Sequence, residues 1–125
     1  RIGDLQDHVE PLIVGDVLAP LSGGNMRYGL IIATDVFVYL GDLALVFAGC
    51  VAALKPGGLF AFSVEAEDGG ETFVLRPSGR YAHAAEYIRQ LANGVGLDEV
   101  SREQVMLRKE AGNLISGNIY VLRRP

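Results

Sequence analysis

Tyr-Gly-Leu-Ile-Ile-Ala at 28–33 is an apolar run that stops at a polar corner, Thr34-Asp35, and leads on towards a helix. An acid at the end of a buried strand suits ligand contact, because open α/β sheets bind ligands beyond the carboxyl ends of their strands. The remaining chemistry-bearing residues are sparse. A single cysteine, Cys50, excludes an internal disulfide and any multi-cysteine metal site. It lies on an apolar stripe and reads as a buried structural thiol rather than a nucleophile. His8 beside Asp7 is a surface pair, since one imidazole and one acid cannot hold a metal. No metal is expected.

The positioning elements follow from pattern. Residues 11–15 (Pro-Leu-Ile-Val-Gly) form a short apolar strand followed by Asp16, and Ser-Gly-Gly-Asn at 22–25 is a turn cluster. Residues 30–33 are apolar on both pleat faces, as in a parallel strand covered on both sides. Leu43, Val46, Phe47, Cys50 and Leu54 recur at helical spacing behind an N-capping Asp42. Lys-Pro-Gly-Gly at 55–58 ends that helix, and 59–64 is a second buried strand. Residues 65–79 read as a polar, glycine-containing loop, long enough to suggest a lid. Ala84, Tyr87, Ile88, Leu91 and Val95 mark a second amphipathic helix, and 100–108 with 118–123 form a closing antiparallel hairpin. Strand, helix, strand, helix and hairpin define an α/β class: a Rossmann-like, doubly wound, mostly parallel sheet with an antiparallel C-terminal hairpin.

Length and charge narrow the partners. One hundred and twenty-five residues suit a single domain, and half of them are apolar with 21% charged, so a packed core is expected. A net charge of −4 argues against a broad nucleic-acid surface, which needs clustered cations. Arg123 and Arg124 form an adjacent pair of cations near the end, and they suit a solvated terminus. No apolar run is long enough to span a membrane, and no signal peptide is visible. A cytoplasmic location is expected.

Two segments taken together carry a resemblance. Tyr-Gly-Leu-Ile-Ile-Ala-Thr-Asp-Val-Phe-Val-Tyr-Leu-Gly-Asp-Leu at 28–43 and Ala-Leu-Lys-Pro-Gly-Gly-Leu-Phe-Ala-Phe-Ser-Val-Glu at 53–65 resemble class I S-adenosylmethionine-dependent methyltransferases. The closest likeness is to the small-molecule methyltransferase-domain group associated with tetratricopeptide repeats. It extends over residues 12–123. By this resemblance Asp16 accepts the adenine amino group and Val17 adds a backbone contact. Thr34 and Asp35 border the methionine end of S-adenosylmethionine, with Val36 and Tyr39 close to cofactor and acceptor. Residues 65–79, with Tyr81 and His83 at the start of the next helix, cover a small-molecule or protein acceptor.

The resemblance also implies what is missing. The family's first strand with its glycine-rich loop, and the acid-ended second strand, have no counterpart in residues 1–10, so the chain reads as the C-terminal two-thirds of such a domain. Without those two strands the Leu30 strand has an apolar free edge, and a homodimer or strand swap through it is expected.

Methyl transfer from a sulfonium is an in-line displacement in which the protein mainly aligns the acceptor and excludes water. A general base is needed only for an acceptor that must lose a proton, and the candidates are His83, Glu65 and Tyr81. Each has a structural alternative: a solvated helix-start ring for His83, a solvent-facing strand end for Glu65, a packing ring for Tyr81. Asp16 and Asp35 could equally be turn-capping acids. Three readings follow: a methyltransferase, inactive as this fragment; a non-catalytic oligomerisation or interaction module derived from the same fold; or half of a nucleotide-linked oxidoreductase. The third would need a phosphate loop that the sequence lacks.

Overall fold

The computed structural model describes residues 28–34, 36–70 and 72–125. Asp16, Val17, Asp35 and the strand at 11–15 lie outside the described residues. The Leu-Ile-Ile stretch places bulky aliphatics on both faces of an extended segment, and Tyr28–Ala33 forms β1. It pairs in parallel with β2, Leu54–Ala66, with Leu30 opposite Leu59 and Ala33 opposite Phe62. Parallel neighbours need a crossover, and α1, Ala44–Ala53, supplies it.

All five residues of the expected helical stripe are buried: Val46, Phe47 and Cys50 lie on α1, Leu43 precedes it and Leu54 opens β2. The outer face is Ala-rich with Leu45 exposed, so this helix has no polar back. Burial pushes the Cys50 thiol up to about 12, which keeps it protonated and inert.

β2 is the hub of the sheet. One edge takes β6, Asn113–Arg123, antiparallel from Leu59–Arg123 to Glu65–Gly117, and β5, Asp98–Glu110, lies antiparallel outside β6. The other edge carries β1 and, further along, β4 (Tyr81–His83), which joins β2 in parallel at Glu65 and Ala66. Strand β3, Phe73–Leu75, closes that side antiparallel to β4. The second helix, α2 (Ala85–Gly94), packs Tyr87, Ile88 and Ala92 into the same cluster as α1.

The period-2 rule sorts the core into two faces. Ile31, Phe60, Phe62, Tyr120 and Leu122 meet the helices, whereas Leu30, Ile32 and Ala61 cluster on the opposite face. Phe62 sits at the centre of the helix-side core, its ring 4.7–5.6 Å from those of Phe60, Tyr120, Phe37 and Phe47. Gly117 is a tight point: a Cβ there would stand 2.3 Å from the Val64 carbonyl and 2.4 Å from Leu107 Cδ1.

Two expectations are corrected. The 65–79 segment is not an irregular loop, because Phe73–Leu75 folds back on Tyr81–His83 through a turn closed by Gly79 N–H to Arg76 O at 2.9 Å. Tyr81 and His83 therefore lie on a strand and not at a helix start; α2 begins at Ala85. The C-terminal hairpin is also longer at both strands, with Ala111-Gly112 as its two-residue tip.

Both tip residues have positive φ, 48° at Ala111 and 82° at Gly112. Such a turn fits asparagine better than alanine at its first position, because Cβ crowds the carbonyl in the left-handed region. Ala111→Asn is expected to stabilise the protein by roughly 0.5–1 kcal/mol. A raised urea midpoint at unchanged slope checks it.

Candidate functional site at the carboxyl ends of β1 and β2

β1 ends at Ala33, and Thr34 and Val36 follow it half-buried. A single 3-10 turn, Phe37–Tyr39, comes next: Phe37 is buried in the aromatic core and Tyr39 is 66% exposed. Phe37 thus anchors the turn, Val36 packs half-buried against the same core, and Tyr39 is left exposed. The sheet places the β3–β4 hairpin beside this turn. The rings of Phe73 and Tyr81 fill the space at Gly41, where a Cβ would meet them at 2.5 and 2.8 Å.

His83 is fully buried. Its Nε2 lies 2.9 Å from the Leu40 carbonyl and 3.1 Å from that of Gly41, so this nitrogen carries the proton and donates. Nδ1 is left as a buried acceptor without a hydrogen-bond partner. The ring stacks on Tyr87 at 6.2 Å, with Phe73 also at 6.2 Å. Burial lowers the His83 pKa, against the opposing pull of the Gly41 and Leu40 carbonyls and of Glu65.

That direction sets a pH dependence. The unfolded imidazole takes a proton near its ordinary value of 6.5, while the folded ring resists it. Above about pH 7 the group contributes nothing to the pH dependence, and stability falls as pH drops through 6.5 towards the lower folded value. Urea midpoints are expected to decline across this window in the unaltered protein and to decline less in His83→Gln. Equal slopes would overturn the assignment.

Tyr87 had been legible only as an apolar helix position. Its hydroxyl accepts the Leu43 N–H at 3.0 Å and donates to Asp42 Oδ1 at 3.3 Å, and burial raises its pKa. Asp42 Oδ1 also accepts the Ala44 N–H at 2.9 Å, starting α1.

Glu65 is 1% exposed and opposite Ala82 in register, so it projects from the sheet face opposite to Tyr81 and His83. It does not face solvent. One oxygen meets Arg76 at 3.5 Å and the other meets Arg108. Arg108 Nε also donates to Glu110 at 3.1 Å, and Arg80 pairs with Glu110. Arg108 and Arg80 hold the Glu110 carboxyl below the usual range, the Arg108 hydrogen bond acting most strongly. Arg76 further donates to the Ala66 carbonyl at 2.8 Å. This chain of charges ties the β3–β4 turn, the end of β2 and the end of β5 together. None of these partners had a local signature; they lie up to 43 residues apart.

The sequence candidates therefore divide. Tyr81 and His83 come together with the turn that carries Val36 and Tyr39, and Glu65 belongs to an ion network on the other face. Among the described residues no three His, Cys, Asp or Glu side chains group as metal ligands, and no helix is long and apolar enough to cross a membrane.

No family model matches the chain, and no curated protein matches it. Solved structures do. A SAM-dependent methyltransferase from Methanosarcina mazei aligns at TM-score 0.63 and 12% identity over 83% of this chain and 64% of its own. The 1,6-didemethyltoxoflavin-N1-methyltransferase of Burkholderia thailandensis, solved with S-adenosylhomocysteine, aligns at 0.64 and 19% over 81% and 45%. The [4+2]-cyclase SpnF aligns at 0.62 and 14% over 79% and 50%. The chain spans between 45% and 64% of the length of these structures. It has the Rossmann-like fold of the SAM-dependent methyltransferases. At these identities the likeness is one of fold, and a fold hosts more than one activity.

Proposed function

We propose that this chain is the C-terminal part of an S-adenosylmethionine-dependent methyltransferase acting on a small-molecule or protein acceptor. The observation that carries the reading is the joining of residues 40 and 41, which follow the 3-10 turn, to the β3–β4 hairpin at the carboxyl ends of β1 and β2, in a fold shared with solved methyltransferases. The half-buried Thr34 and Val36 and the exposed Tyr39 fit the methionine end of the cofactor: a hydroxyl and two apolar surfaces at a strand end. Asp16, Val17 and Asp35 complete the proposed cofactor set. When bound, the cofactor supplies the electrophilic methyl group; the protein's part is alignment and exclusion of water.

For proton removal, Nδ1 is the one His83 nitrogen with a free lone pair, and the Phe73 ring lies beside the imidazole at 6.2 Å. Tyr81, half-buried beside it, is the second group within that cover. Glu65, engaged by two guanidiniums, serves the hairpin's attachment in this reading. The free edge of β1 remains the proposed contact for a second copy, since among the described residues β1 pairs with β2 on one side.

Calorimetric titration of S-adenosylhomocysteine tests the proposal. Micromolar binding is expected for a protein extended upstream to include a glycine-rich strand and loop, and negligible binding for these 125 residues alone. Tight binding by the 125 residues would overturn the expectation that a glycine-rich strand and loop outside them is needed. No binding by either would favour the interaction-module reading.

A further inference from the structure

Residues 40–43 connect the 3-10 turn to α1, and each is gripped from β3, β4 or α2. His83 holds the Leu40 and Gly41 carbonyls, Phe73 and Tyr81 fill the space beside Gly41, and the Tyr87 hydroxyl binds both Asp42 and the Leu43 N–H. The Ala44 N–H then closes onto Asp42. Leu40 is also the residue whose N–H closes the 3-10 turn on the Phe37 carbonyl at 3.1 Å. Its carbonyl, held by His83, therefore ties the end of that turn to β4.

A packed aromatic pair alone would not need the Tyr87 hydroxyl or the His83 nitrogen. Leu43 is completely buried and gives α1 no side-chain cap, so without the hydroxyl its N–H would be an unpaired donor in the core. The strand-to-helix step between β4 and α2 sets residues 83 and 87 four apart with their rings nearly parallel, at 14°. Both then face the same stretch of chain more than 40 residues earlier.

We propose that His83 and Tyr87 are positioning residues: His83 ties the end of the 3-10 turn to the β3–β4 hairpin and Tyr87 ties residues 42 and 43 to α2, so that the side facing the cofactor and the cover over the acceptor move as one body. This rests on the methyltransferase reading above. Neither side chain has to touch the cofactor. Losing either frees the turn, and the wall that Val36 and Tyr39 form loses its set position.

The test is titration of S-adenosylhomocysteine into the full-length protein and its Tyr87→Phe, His83→Leu and His83→Gln variants, with amide exchange followed at residues 40–44. Tyr87→Phe and His83→Leu are expected to weaken binding about fivefold or more and to speed exchange in this stretch. Glutamine places an amide nitrogen near the Nε2 position, so His83→Gln is expected to bind within about twofold of the unaltered protein. Unchanged affinity in Tyr87→Phe and His83→Leu, with binding by the unaltered protein, overturns this inference alone. Absence of binding by the unaltered protein overturns the methyltransferase reading and this inference with it.

Discussion

Glu65→Ala is expected to destabilise the protein by about 3 kcal/mol. The carboxylate is 1% exposed and serves two guanidiniums, while the Arg76 and Arg108 side chains keep 31% and 23% of their surface in water. Removing one member of a buried ion pair costs roughly 3–5 kcal/mol because the survivor is left desolvated and unpaired. Here the survivors can turn towards solvent, which places the effect at the lower end. Arg108 also retains Glu110, which softens the loss on that side. The damage should concentrate where the network holds the fold together: the β3–β4 turn, attached through Arg76 and Arg80, should open before the sheet does. Urea unfolding gives the global figure and proteolysis within the 76–80 turn gives the local one. A loss below about 1 kcal/mol, the range of exposed pairs, would mean that the network is no more than a surface arrangement.

Phe62→Ala is expected to have an effect of roughly 4 kcal/mol, a large part of the stability of a single domain. Phe62 is fully buried, and four aromatic rings surround it within 5.6 Å: Phe37, Phe47, Phe60 and Tyr120. They come from the 3-10 turn, α1, β2 and β6, so no one element can relax into the vacated volume without pulling on the others. Phe62→Leu, which keeps most of the volume, should lose far less. Comparable losses for the two variants would show that ring geometry rather than filled volume dominates. Because Phe37 anchors the turn carrying Val36 and Tyr39, the alanine variant should also loosen the proposed cofactor wall.

The parts that were legible in sequence are those with enough residues to show a period. The α1 stripe, the apolar strands at 30–33 and 59–64 and the α2 stripe rest on repeats of four or more positions, and burial follows them, whereas in the final hairpin β5 is largely exposed. β3 and β4 were hidden because three residues make no period. Phe73–Leu75 lies inside a stretch that reads as one polar loop, and its three residues are all exposed at the sheet edge. The site was legible at its corner and not in its fastenings. The Thr34 corner follows from a strand that ends, which is local, whereas Tyr39 entered only through the resemblance. The grip of His83 and Tyr87 on residues 40–43, and of Arg108 on Glu65, joins segments about 40 residues apart. A tyrosine on an apolar stripe reads as packing until the chain is folded and the hydroxyl meets a backbone N–H.

Gly117 has a consequence for how the last strand finds its place. Only at this position does β6 pass the Val64 carbonyl with Leu107 folded over it, at separations that leave no room for a Cβ. Its chain neighbours are Ser116 and Asn118, each of which has one. Sliding β6 by a single residue along β2 would drive a side chain into that carbonyl, and would also turn Tyr120 and Leu122 away from the helices. One missing methyl group thus acts as a key for alignment: the Val64 carbonyl and Leu107 leave room for β6 in the offset observed, with glycine at the point of contact.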